Sequence, residues 1–191
     1  MTKSKIVILI IILVTLAISS CRTSRISPTQ IQLVQYSLKE EDLPGKWNVE
    51  GNGWGADYGG ESYGITYIRN QYVFVNHIVS LHSSESRAKQ AYTEWEAKRF
   101  ILATLQPELS YIPVDKNDDH NFKCAQLRPD SPVRVCVFLQ RHGTIINFVR
   151  VSFDNRSTQN LTFEEVNSVL TILDDRLNEN IVNTKSEGDT P

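Results

Sequence analysis

The chain has 191 residues, with 20 Lys or Arg against 22 Asp or Glu, and its formal net charge is −2. A nucleic-acid-binding domain is expected to be basic, so this charge balance argues against that class of protein. Hydrophobic residues make up 40% of the chain, which is enough for the core of one globular domain without metals or several disulfides.

The first 21 residues, MTKSKIVILIIILVTLAISSC, have the order of parts of an export signal. Two lysines precede an apolar run from Ile6 to Ile18, which is shorter than the roughly 20 residues of a membrane span. The run leads into the tetrapeptide ISSC, which resembles the lipobox of bacterial lipoproteins. This resemblance implies that residues 1–20 are removed as a signal peptide. It also implies that Cys21 carries a lipid anchor whose acyl chains include palmitate. The alternative is an uncleaved membrane helix with an incidental cysteine.

The same resemblance predicts that the chain is extracytoplasmic and lipid-anchored to a bacterial membrane. Residues 21–30 are then the lipidated cysteine and a polar tether. We expect one domain over 31–182 and a disordered tail over 183–191, which lacks apolar residues. Loss of the two signal-peptide lysines leaves 18 basic and 22 acidic residues in the mature chain. The expected partners are the membrane, through the lipid, and an unknown envelope protein or small ligand, and not nucleic acid.

Residues 51–64, GNGWGADYGGESYG, contain six of the nine glycines of the chain. Such a density of glycine is typical of a loop, so we predict one here. Its aromatic and acidic side chains are candidates for contact with a ligand or partner: Trp54, Asp57, Tyr58, Glu61 and Tyr63. The alternative is that the aromatic rings fold back onto the body of the domain.

The pentapeptide GESYG, centred on Ser62, matches the nucleophile elbow of serine hydrolases. In those enzymes the serine lies between a strand and a helix, whereas Ser62 is followed by the β-rich segment 65–82. A triad would need Asp118 or Asp119 together with His142. We therefore predict no catalytic residue and no enzymatic activity. The alternatives are an exported hydrolase that uses Ser62 and a structural or assembly lipoprotein.

Metal binding is not predicted either. The acidic segment Asp115–His120 matches the first ligand positions of an EF-hand calcium loop. It has histidine at the sixth position, where glycine is required, and Gln126 at the twelfth, where glutamate is required. We expect a solvated acidic loop, no metal and no cofactor.

The remaining elements are predicted from periodicity. Segment 65–82 is predicted to be strand, broken into two near Asn70. Segment 83–105 is an amphipathic helix, because its apolar residues recur at helical spacing. Thr162 and Glu165 form a Thr-x-x-Glu capping box at the start of a last helix. Three strands are predicted between these helices, at about 121–127, 133–141 and 144–153.

The two cysteines that remain after Cys21 lie in FKCAQLRPDSPVRVCVFLQ, where two β-like runs flank a turn. If Leu127 lies opposite Val133, then Cys124 lies opposite Cys136, and Phe122 lies opposite a phenylalanine as a favourable aromatic pair. We therefore predict a disulfide between Cys124 and Cys136. The alternative is two free buried cysteines.

The order β(β)-α-β-β-β-α predicts an α+β fold, with an antiparallel meander and two amphipathic helices packed on one face. The opposite face is then also apolar, and we expect the N-terminal or glycine-rich segment to cover it, or a ligand to bind there. The motif DLPGKW, the long first helix and the late cysteine pair resemble, over about 150 residues, the extracellular sensor domains of bacterial receptor kinases. The chain departs from them in loop lengths and cysteine number. The resemblance implies a sensor-like binding module, with no particular ligand or catalytic residue.

Overall fold

The structure is a computed structural model, and it describes residues 27–70, 73–99, 104–105, 119–126, 130–154 and 161–187. Side chains are described over the same ranges, apart from those of residues 104–105, 153–154 and 180–187.

The described residues form three α-helices and seven strands, one of which has only two residues. In chain order these are α1 (Pro28–Tyr36), β1 (Asn48–Asp57), β2 (Gly60–Asn70), β3 (Val73–Leu81), α2 (Glu85–Arg99), β4 (Thr104–Leu105), β5 (Asp119–Gln126), β6 (Val133–His142), β7 (Ile145–Asp154) and α3 (Phe163–Glu187). The strands form one antiparallel sheet in the order β1-β2-β3-β7-β6-β5-β4. The predicted α+β class and antiparallel sheet are confirmed, as is the break after Asn70.

The sheet consists of two meanders joined edge to edge. The first is β1-β2-β3 and the second is β4-β5-β6-β7, and β3 pairs with β7 to unite them. The strand β1 lies at one edge of the sheet and the two-residue strand β4 at the other. The predicted fold had neither β1 nor β4.

Helix α1 begins inside the predicted tether. The Ser27 side chain accepts a hydrogen bond from the Gln30 backbone N–H at 3.1 Å, and the Gln30 side chain accepts one from the Ser27 N–H at 2.8 Å. Pro28 occupies the first turn, where its missing N–H costs nothing. Leu33 and Tyr36 are buried against the sheet. The fold therefore includes residues 27–30, which lie ahead of the predicted domain start at residue 31.

Strands β5 and β6 pair in the predicted register. Phe122 lies opposite Phe138, and Cys124 lies opposite Cys136 with their Cα atoms 4.1 Å apart. The two cysteines are joined by a disulfide, and both are 1% exposed. The bond therefore lies within the core, under α3.

The two long helices pack on opposite faces of the sheet, so the prediction that they share one face is wrong. Helix α3 covers the face that we call the α3 face, which carries Cys124, Cys136, Phe138, Val149 and Val151. Helix α2 covers the α2 face, which carries Val135, Val137, Leu139, Ile146 and Phe148. Strands β6 and β7 are apolar on both faces, and each face must be shielded from water.

Both helices bury apolar residues that recur at helical spacing. Helix α2 buries Ala88, Ala91, Tyr92 and Trp95, while Leu102 of the predicted stripe lies outside the described residues. Helix α3 buries Val166, Val169, Leu170, Leu173 and Leu177. Thr162 and Glu165 form the predicted capping box, with bonds of 2.7 and 3.2 Å.

Helix α3 runs to Glu187. Residues 183–187, which were expected to begin a disordered tail, are therefore helical. The rest of that predicted tail, residues 188–191, lies outside the described residues. The N-terminal segment contributes Leu38, Leu43 and Trp47 to the core on the α3 face. This segment was one of the two that were expected to cover that face.

Candidate functional site

The glycine-rich segment 51–64 is a β-hairpin and not a loop. Strands β1 and β2 are joined by the two-residue turn Tyr58-Gly59, and both of these residues have positive φ, 49° and 85°. Positive φ at both positions marks a type I′ turn, whose twist matches that of paired strands. The pairing with β2 outweighs the low strand propensity of the glycines.

The hairpin distributes the five predicted contact residues over both faces of the sheet. Trp54 is 46% exposed, and its ring centroid lies 4.7 Å from that of Tyr63 on the α3 face. Tyr58 instead packs on the α2 face against Trp95, with ring centroids 5.5 Å apart. The structure therefore does not bring the five together, and it leaves Trp54 as the exposed ring of the hairpin.

The two acidic members of the set also have different environments. Glu61 is exposed. Asp57 is half-buried, and its carboxylate accepts a hydrogen bond from the Ser62 hydroxyl at 2.9 Å. Asp57 therefore fixes the Ser62 side chain next to the hairpin turn.

Ser62 belongs to a buried polar cluster at the end of the hairpin, which also contains Asp57, Ser80 and His82. Ser62 pairs with Ser80 across β2 and β3, and the Ser80 hydroxyl lies 3.2 Å from Nε2 of His82. Ser62, Ser80 and His82 are at most 4% exposed, and Nδ1 of His82 is buried with no hydrogen-bond partner among the described residues. Burial lowers the pKa of His82, and the Asp57 carboxylate partly opposes this shift. Ser80 and His82 were not singled out from the sequence.

The residues of the hypothetical hydrolase triad are not assembled. Ser62 lies in β2 and His142 in β6, with β3 and β7 between them. Asp119 accepts a hydrogen bond from Arg141 at 2.8 Å, while Asp118 lies outside the described residues. The Ser62 hydroxyl donates to the Asp57 carboxylate, and no histidine among the described residues accepts it, so the Ser–His pair of such a triad is not formed there.

The close approach of His82 to Gly60 gives a test of this cluster. A Cβ atom at Gly60 would lie 2.6 Å from Cε1 of His82. We expect Gly60→Ala to lower the free energy of unfolding by about 1–3 kcal/mol, because the overlap must be relieved by a shift of the ring. Added to a His82→Ala background, the same substitution should cost much less, as measured by chemical denaturation in a double-mutant cycle.

Gly53→Ala is the matched control for Gly60→Ala, because a Cβ atom at Gly53 would have no neighbour within 4 Å. We expect a change within about 0.5 kcal/mol for this variant. Equal costs for Gly60→Ala with and without His82 would contradict the contact described here.

An open cleft lies beside the segment Pro44–Lys46. Its volume is about 510 Å³, and it is lined by Pro44, Gly45, Lys46, Asn48, Arg69 and Glu165. Gly45 has φ +80°, as required at the third position of a type II turn that has Pro44 at the second. The Arg69 guanidinium lies 4.5 Å from the centre of the Trp47 ring and donates a hydrogen bond to the Pro44 carbonyl. Arg69 therefore links this turn to the end of β2.

A second polar arrangement lies under α3, where His77 and Asn147 are buried and Arg176 and Asp42 are partly exposed. Nδ1 of His77 accepts the Leu38 backbone N–H at 2.9 Å, and its Nε2 faces the Asn147 side-chain oxygen. Arg176 donates to the Ser37 carbonyl at 2.6 Å and to Asp42 at 2.7 Å. Burial lowers the pKa of His77 to about 4. This network fastens the N-terminal segment to the sheet and to α3.

The remaining sequence predictions concern metals and the anchor. Among the described residues no group of three or more His, Cys, Asp or Glu side chains could hold a metal ion. Within the same residues no helix is both long and apolar enough to span a bilayer. Cys21 lies outside the described residues, so its lipidation stays a prediction.

Comparisons of the chain with protein-family models, with curated proteins and with solved structures found no match.

Proposed function

We propose that the chain is a lipid-anchored binding or accessory module of a bacterial cell envelope, held outside the cytoplasm and without enzymatic activity. The export signal and the lipobox ending at Cys21 support the anchor and the compartment. The disulfide Cys124–Cys136 agrees with that compartment, because disulfides persist outside the reducing cytoplasm.

One observation carries the binding role, namely the exposure of β1. Nine of its ten residues are exposed, and it pairs with another described strand on one side only. Val49 and Trp54, two large hydrophobic residues on this strand, are 49% and 46% exposed. An exposed aromatic ring beside a free strand edge is a suitable contact surface for a partner protein.

The anchor is tested by Cys21→Ala in the full chain, expressed in a bacterial host. We expect this variant to keep its signal peptide, and so to be larger than the processed chain, and to take up no labelled palmitate, because cleavage and acylation both require the cysteine thiol. The unchanged chain and a Cys124→Ala/Cys136→Ala double variant should both be labelled. A Cys21→Ala protein of unchanged size and labelling would contradict the proposal.

The binding role is tested by photo-crosslinking in intact cells. A photoreactive amino acid at Trp54 is expected to give a discrete crosslinked species of higher mass, because β1 faces the partner. The same amino acid at Lys89, which is exposed on α2, is the matched control and should give much less. Absence of any crosslink at Trp54 under conditions where other positions of the chain crosslink would argue against β1 as the contact surface.

Two other functions stay as alternatives. A small polar ligand could occupy the cleft lined by Lys46, Asn48 and Arg69, because these polar groups converge there. The second alternative is a structural or assembly lipoprotein. It would use the same exposed strand and would differ from the proposed binding module only in the partner that it binds. An exported hydrolase that uses Ser62 gains no support, because its hydroxyl is buried and donates to Asp57.

A further inference from the structure

The two edges of the sheet differ greatly in the described residues. One edge is β4, which has two residues, and the other is β1, which has ten. Natural sheets shield their edges with short strands, lysine, proline or bulges. β1 contains neither lysine nor proline. Its one register shift lies between Val49 and Gly51, which leaves Gly51–Asp57 in regular pairing.

The hairpin turn determines which backbone groups of β1 are free. In a two-residue hairpin the residues that flank the turn, here Asp57 and Gly60, form a hydrogen-bonded pair. Such pairs alternate with non-hydrogen-bonded pairs along antiparallel strands. The backbone N–H and C=O groups of Asn52, Trp54 and Ala56 therefore point away from β2, at the two-residue spacing that an added strand requires.

The side chains of the same three residues point to the α3 face, because Trp54 stacks there on Tyr63. A strand placed beside β1 would have its residues within about 4.5–5.5 Å of these side chains. Trp54 therefore offers an apolar ring to the residue opposite it on such a strand and to that residue's neighbours on the same face. On the α2 face β1 has no side chain at Gly51, Gly53 and Gly55.

The negative charge of the hairpin favours some added strands over others. The hairpin, residues 48–70, contains Glu50, Asp57 and Glu61 against one basic residue, Arg69. A second copy of this hairpin would bring two segments of net charge −2 together, which disfavours self-pairing. A segment that contains Lys or Arg is favoured by the same charges.

We propose that the free edge of β1 binds an extended, Lys- or Arg-containing segment of a partner protein by strand addition. The backbone groups of Asn52, Trp54 and Ala56 pair with the added strand, and the Trp54 ring covers its apolar residues. This inference rests on the proposed binding role and adds the mode of binding and the chemistry of the partner.

The test uses the full chain purified in detergent micelles and a synthetic ten-residue peptide of alternating Lys and Val as the probe. We expect the peptide to slow amide hydrogen exchange at Asn52, Trp54 and Ala56 by about tenfold or more, because these N–H groups gain acceptors. A peptide of alternating Glu and Val is the matched control and should give no protection. Equal protection by both peptides, or none by either, would overturn the proposal.

Variants at one position separate edge pairing from other contacts. Ala56→Pro removes an outward N–H without loss of a β1–β2 hydrogen bond, since proline is tolerated at such edge positions. It should abolish the protection, whereas Ala56→Ser, which keeps the N–H, should preserve it. Ala56→Lys should weaken binding of the Lys–Val peptide by charge repulsion. Unchanged amide hydrogen exchange in β2 and β3 would show that each variant is folded. If Ala56→Pro did not affect peptide binding, edge pairing would be rejected.

Charge variants and concentration complete the design. Glu61→Gln should weaken the Lys–Val peptide by roughly threefold, in line with one exposed ion pair. If Asn52, Trp54 and Ala56 become protected with rising protein concentration and no peptide, the occupant is a second copy and the proposal is wrong. A crosslink from Trp54 in cells without peptide protection in vitro would reject strand addition while the binding role stands. Peptide protection in vitro without a crosslink in cells would show that β1 can accept an added strand, and it would reject the binding role in the cell.

Discussion

Replacement of Cys124 and Cys136 together by alanine is expected to lower the free energy of unfolding by about 3 kcal/mol. The disulfide closes a loop with a sequence separation of 12, and cross-linking of a loop of this size removes about that much conformational freedom from the unfolded chain. Both sulfur atoms are also buried under α3, so their removal leaves space in the core. Denaturant titration of the oxidised chain and the double variant measures the difference.

The control for this prediction is the unchanged chain, unfolded and refolded with a reductant present. Reduction should destabilise it by a similar amount and should leave the double variant unaffected. A chain whose unfolding midpoint is the same with and without reductant would contradict a stabilising role for the Cys124–Cys136 bond.

Acid is expected to destabilise the fold through His77. Its pKa is about 4 in the folded chain, against 6.5 for an ordinary histidine, because the ring is fully buried. Between these two values the unfolded chain binds more protons than the folded chain. The contribution of His77 to the free energy of unfolding is therefore fully present above about pH 6.5. It is lost as the pH is lowered toward 4, and the loss from this group is about 3 kcal/mol.

The surroundings of His77 explain why protonation is costly. Nδ1 already accepts the Leu38 N–H, so the single ring proton of the neutral form lies on Nε2, toward Asn147. A second proton on Nδ1 would break the bond to Leu38. Arg176 lowers the pKa further, while Asn147 and Asp42 raise it.

His77→Asn isolates this contribution, because asparagine can accept the Leu38 N–H but does not titrate. We expect this variant to be less stable at pH 7.5 and to lose less stability between pH 6.5 and 4 than the unchanged chain. Other acid-sensitive groups are common to both proteins and cancel in the difference between the two pH profiles. Parallel profiles from urea denaturation would show that His77 is not the group responsible.

Local sequence signals predicted the second half of the fold well. The register of β5 and β6 followed from Cys124 and Cys136, because one alignment satisfied the cysteine and phenylalanine pairs together. The start of α3 followed from Thr162 and Glu165, whose side chains satisfy backbone N–H groups within one turn. Both signals act over short range and need no knowledge of the rest of the chain.

Two errors in the predicted fold had signals that could have corrected them. The sequence Ser27-Pro-Thr-Gln30 is a capping box with proline in the first turn, and it marks the start of α1. The run from Val133 to Leu139 is apolar at nearly every position, which is typical of a strand covered on both faces. It predicts helices on both sides of the sheet.

The hairpin β1–β2 could not be predicted in the same way. Glycine at positions 51, 53 and 55 disfavours a strand, and only the pairing with β2 overcomes this preference. Without the register of that pairing, the side to which each residue points is undefined. The split of Trp54 from Tyr58 and the contact of Gly60 with His82 therefore became visible only in three dimensions.

If Cys21 is anchored to a membrane, the early start of α1 limits how far the domain can move from it. If Cys21 carries the lipid, only six residues, 22–27, separate it from the first turn of the helix, and their full extension is about 20 Å. The domain would then explore a thin shell above the bilayer, where a partner in the same membrane is present at a high effective concentration. Under such confinement a strand contact that is weak in free solution would be sufficient to hold two envelope proteins together.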